Sequence, residues 1–140
     1  SKLFTELREA RSLCYYASSG VDDVKGLLYV HSGIDKANYD TAVDGIKAEL
    51  DKVARGEISQ DELDSARRYC AQALRLAADD PVELMMYYLK MNITGEEIAP
   101  DELAALCEGV SAGEVAEIAR SCELDAVYFL SGEDEEAEAE

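Results

Sequence analysis

Near the start of the chain, Arg8 and Tyr15 are the residues whose types and spacing could do chemistry. They stand in the stretch LREARSLCYYASSG, Leu7 to Gly20. There a helix-like run carrying Arg8 and Arg11 meets, with no turn residues between, a tyrosine pair heading a strand-like run. A separation of seven residues is two helical turns, so both side chains can leave the same side of the joint. Arginine offers a planar fork of charged donors and tyrosine a directed hydroxyl. Together they could hold a peptide carbonyl, and could stabilise the oxyanion that forms when that carbonyl is attacked. The same spacing also suits a plainer arrangement: an exposed arginine satisfying an acidic neighbour, and a strand tyrosine in the core.

Other chemistries find little support. A zinc site needs several converging Cys, His or carboxylate ligands. The chain has one histidine, His31, in mid-strand beside Tyr29, and no HxxH, HxxEH or CxxC. Ser18, Ser19 and Ser32 lie near His31 in the pattern, but no GxSxG elbow presents a nucleophile. "HSGID" and "SSGVDD" lack the glycine spacing of a phosphate loop. The carboxylates are so numerous that no pair stands out as a general acid and base.

The elements that must position these residues follow from periodicity. Leu3, Leu7, Ala10 and Cys14 fall at helical spacing over Ser1 to about Leu13. Tyrosines and small residues from Cys14 to Ser19 suit a strand, GVDDVKG a connection, and LLYVHSG a second strand pairing antiparallel with the first. Both faces of that second strand are largely apolar, which predicts a place inside a sheet. Tyr39, Val43, Ile46, Leu50 and Val53 form a helical stripe stopped by Gly56. Ser59 with Glu62, and Ser111 with Glu114, read as capping boxes opening two further helices. Between them, Pro81 breaks one helix and Pro100 starts another. VELMMYYLKM is apolar over so much of its surface that it should lie between other elements. LDAVYFLSG reads as a third strand. The fold class is α+β, an antiparallel-leaning sheet packed by several helices. Three strands are thin for so many helices, so further strands are expected from sequence upstream of Ser1 or from another copy.

At 140 residues the chain is one domain or a large piece of one, and 48% hydrophobic residues can build a core. The folded part is expected over 1–131, with a disordered acidic tail over 132–140. Thirteen Lys and Arg against thirty-one Asp and Glu give −18; setting aside the six acids of the tail leaves the body at −12. Such a surface repels phosphates, so nucleic acid and anionic membrane are poor partners. No run of eighteen apolar residues predicts a membrane span. Cys14, Cys70, Cys107 and Cys122 lie far apart, and the last three fall on apolar helix faces, which suits reduced thiols and a cytoplasmic setting. The sequence opens inside an amphipathic pattern without Met, as a piece of a longer protein would.

The segment SKLFTELREARSLCYYASS resembles the pattern S-x-L-F-x-x-L-R-x-x-x-x-L-x-Y of pitrilysin, insulin-degrading enzyme and mitochondrial processing peptidase, one family of zinc peptidases. The likeness continues through GLLYVHSGID and NYDTAVDGIKAELDKVARGEISQDELDSARR, covering residues 1 to about 80. It implies a partial metallohydrolase-like domain, one of several repeated α+β domains paired into halves around a chamber. In active members an arginine and a tyrosine reach across to the bound peptide; matched motif to motif, these are Arg8 and Tyr15. The chain departs from the pattern at Cys14, where the family commonly has glycine and where a side chain narrows the peptide's approach. It also lacks HxxEH. Zinc is therefore implied only for a partner half or an upstream segment, and the chain itself carries no cofactor.

The expected function is that of a non-catalytic peptidase-like domain, most like a bacterial non-catalytic member. It would bind peptide or unfolded polypeptide and pair with a peptidase-like half, with a homodimer through an open sheet edge also possible. Two alternatives stand beside it: a fragment of an active zinc endopeptidase whose HxxEH lies upstream of residue 1, and a structural or assembly domain that binds no peptide.

Overall fold

The computed structural model describes residues 14–132. The first predicted helix, with Arg8, and the tail from residue 133 onward lie outside the described residues.

Two antiparallel strands open this part of the chain, β1 (Tyr16–Asp22) and β2 (Leu27–Gly33). They pair over their whole length, from Tyr16 opposite Gly33 to Asp22 opposite Leu27. The reversal ends on Gly26, whose φ of 66° is a left-handed conformation that glycine adopts without strain. A 3-10 turn, Lys36–Asn38, leads into five helices: α1 (Tyr39–Ala54), α2 (Gln60–Asp79), α3 (Pro81–Thr94), α4 (Pro100–Gly109) and α5 (Ala112–Ser121).

Local chemistry sets the helix boundaries where the sequence predicts them. Ser59 and Glu62 form a reciprocal capping box at α2, as Ser111 and Glu114 do at α5. Asp80 accepts from the backbone N–H groups of Val82 and Glu83, and Pro81 fills the first turn of α3. Gly56 and Gly95, with φ of 79° and 78°, end α1 and α3.

The helices meet through small residues. α2 packs on α4, and each contributes a fully buried alanine, Ala71 and Ala104. Side chains stitch this contact: Arg67 Nε donates to the carbonyl of Val110 at 2.8 Å, and Arg75 pairs with Glu108 at 2.9 Å. α1 packs on α5, where Arg120 donates to the carbonyl of Ala54. The buried side of α1 is Ala42, Gly45 and Glu49, with the predicted apolar stripe only half-buried along its flank. Glu49 accepts from Lys52 at 2.6 Å, and its second oxygen is buried with no partner.

Four expectations are corrected. Residues 124–132 form no strand and join no sheet among the described residues; the segment is held at Phe129, whose ring stands 4.7 Å from that of Tyr39. Among the described residues β2 is paired on one side only, and Leu27, Leu28 and Tyr29 are about half exposed rather than interior. α3 turns Leu84, Tyr87 and Met91 inward but leaves Val82, Met85, Met86, Leu89 and Ile93 in solvent. Cys70 is exposed rather than packed, Cys107 and Cys122 are half-buried, and Cys14 is buried. Among the described residues, no helix is long and apolar enough to cross a membrane.

Two outcomes follow from this packing. Ala104→Leu, which forces a larger side chain into a filled contact, is expected to lower stability by about 1–3 kcal/mol in urea unfolding. An aqueous maleimide should label Cys70 well before Cys14 and Cys107; burial also raises the Cys107 thiol above its ordinary pKa, with Cys70 adding to the shift. Peptide mapping at short labelling times reads the order.

Candidate functional site

Strand alternation gives the hairpin two faces, and one of them packs toward α1 at its base, at Ala17. Ala17 on the inner face is buried with Cys14, against Ile34 and Ile46 of α1. Tyr16, Tyr29 and His31 share the outer face, with Tyr16 and Tyr29 about half exposed. Each tyrosine lies over a glycine of the opposite strand, Tyr16 over Gly33 and Tyr29 over Gly20; a Cβ on either glycine would collide with the ring. This explains why β1 continues through Gly20, which the sequence places in the connection. His31 stands edge-on to Tyr29, with ring centroids 5.0 Å apart at 67°. The result is an open aromatic panel.

Tyr15 sits at the end of this panel, where the chain enters β1, and is 65% exposed. Its backbone N–H donates to the carbonyl of Gly33 at 2.7 Å. Its hydroxyl donates to Asp35 Oδ1, also at 2.7 Å. Asp35 is fixed in turn, since its carbonyl accepts from the N–H of Asn38 at 2.9 Å. The bond and the charge of Asp35 raise the Tyr15 pKa, because ionising the phenol would break the bond and set two negative charges side by side. The predicted donor Tyr15 is therefore open to solvent, and its one proton is directed at a carboxylate of its own chain. Arg8, its predicted partner, lies outside the described residues. Cys14 turns into the core cluster.

Asp35 is the residue that sequence reasoning missed. The signal was the hairpin register. A reversal at 23–26 carries Tyr15 to the level of Ile34, next to Asp35; a looser connection, as read from GVDDVKG, hides the pairing. At the opposite end of the hairpin, Asp23 pairs with Lys90 of α3 at 2.5 Å, and this bond holds the carboxyl below its ordinary pKa. A separate open cleft of about 330 Å³, between the end of α3 and the start of α4, is lined by Tyr88, Glu96 and Glu97 among others and by no hairpin residue.

The described residues do not fit zinc. Among the described residues no group of three or more His, Cys, Asp or Glu side chains could hold a metal ion, and His31 faces a tyrosine ring.

Three comparisons bear on this geometry. A family model described as the peptidase M16 inactive domain matches residues 1–70. The chain is 30% identical over 132 residues to the probable inactive metalloprotease YmfF of Bacillus subtilis (strain 168), covering 94% of this chain and 31% of that protein. A crystal structure of a conserved protein from Enterococcus faecalis V583 superposes with a TM-score of 0.78 at 28% identity, over 86% of this chain and 28% of the other. The chain thus spans less than a third of the length of either.

The Tyr15–Asp35 bond has a pH signature. A raised pKa favours the neutral phenol in the folded chain. Its stabilisation is therefore complete below the ordinary value of 10.0 and is lost as pH rises through the higher folded value. In an alkaline NMR titration of labelled tyrosine, Tyr15 should ionise at lower pH in Asp35→Asn than in the parent; an unchanged midpoint would disprove the bond.

Proposed function

The chain belongs to the pitrilysin-type M16 peptidase family, in its inactive-domain branch, and from that premise we propose that it is a non-catalytic domain that binds extended peptide and pairs with a metal-bearing half in a zinc endopeptidase assembly. The observation that carries the reading is the hairpin. Among the described residues its two outer strand edges are unpaired, and its outer face is an exposed panel of Tyr16, Tyr29 and His31. An extended peptide can add to such an edge through main-chain hydrogen bonds, with alternate side chains resting on the aromatic rings.

Pairing draws support from a second surface. Exposed apolar residues on α3, and Leu124, Val127, Tyr128 and Leu130 on the segment after α5, are the kind of surface a neighbouring half or domain covers. The unpaired strand edges also suit a second copy of the chain. Four free cysteines favour a reducing, cytoplasmic setting.

A fluorescent unfolded peptide, followed by anisotropy, tests the reading. Tyr29→Ala is expected to weaken binding roughly three- to tenfold, the value of one aromatic contact, while circular dichroism stays unchanged. Binding insensitive to both Tyr16→Ala and Tyr29→Ala, or none by the parent chain, would refute it.

A further inference from the structure

We infer that Tyr15 and Asp35 form a receptor for a cationic nitrogen of the peptide, with Asp35 as its specificity-determining residue, and that Tyr15 does not act as a donor to a peptide carbonyl. The inference rests on the peptide-binding reading above and deepens it. A phenol has one proton to give, and here Asp35 Oδ1 takes it at 2.7 Å. What Tyr15 still offers to a ligand is oxygen lone pairs. Asp35 adds a second carboxylate oxygen and a full negative charge at an exposed position. Both groups are held from the backbone, Tyr15 through Gly33 and Asp35 through Asn38, so the acceptors are set in place before a ligand arrives.

A surface that presents acceptors and negative charge selects donors. An ammonium or guanidinium brings several N–H groups and a positive charge, and a charge-assisted hydrogen bond is about twice as strong as a neutral one. The net charge of −18 draws the same ligands in from a distance. The cation has two possible sources, the α-ammonium of a peptide and a Lys or Arg side chain. Both present the same chemistry to the site.

The test compares four extended peptides of one length on the 140-residue chain: free or acetylated at the N-terminus, each with either one lysine or norleucine in its place. Cationic peptides are expected to bind roughly tenfold more tightly than the acetylated norleucine peptide. The acetylated lysine and the free-amine norleucine peptides show which source is used. Asp35→Asn should erase the preference, Asp35→Glu should restore part of it, and Tyr15→Phe should reduce it. Two results overturn the inference and leave peptide binding standing: equal affinity for all four peptides, or an Asp35→Asn variant that binds the neutral peptide more tightly because the phenol is released to donate. Failure of the parent chain to bind any of the four would remove the peptide-binding reading itself.

Discussion

A strand has backbone donors and acceptors on both edges, and satisfying them is the constraint on which this structure depends. A two-stranded hairpin alone is marginal in water. Here it is held by its inner face, where Cys14 and Ala17 pack against Ile34 and Ile46. That single contact decides which way the hairpin faces. It places the tyrosine panel outward, and brings the entry of β1 beside the exit of β2, so that Tyr15 meets Asp35. The segment over 124–132 shows the same constraint from the other side: a sequence suited to a strand forms no ladder among the described residues when it pairs with no edge.

The helical part obeys a different rule. Alanine at Ala71, Ala104, Ala116 and Ala119 lets backbones approach closely, and long arginines then reach across to carbonyl groups. Larger apolar side chains are displaced to the flanks and outward, above all on α3. Among the described residues an exposed apolar helix and unpaired strand edges accord with a domain that occupies less than a third of its relatives' length.

Helix boundaries were legible in the sequence because they are local. Ser59, Ser111, Pro81, Pro100 and Gly56 act through groups within a few residues of themselves. The antiparallel pairing of the first two strands was legible for the same reason. Burial was not. The apolar faces of β2 and α3 predict neighbours, and a sequence pattern states that a face wants cover without stating what supplies it. The candidate site was half legible. Tyr15 follows from its position at the joint, whereas Asp35 is reached only through the strand register, twenty residues along the chain.

The attachment of the hairpin to the helices combines two contacts of different physical kinds. The apolar contact at Ile46 is indifferent to dissolved electrolyte, while the exposed pair between Asp23 and Lys90 is screened as ions accumulate. The pair at the tip is thus the part of the attachment that added salt weakens, while the apolar contact at the base keeps its strength.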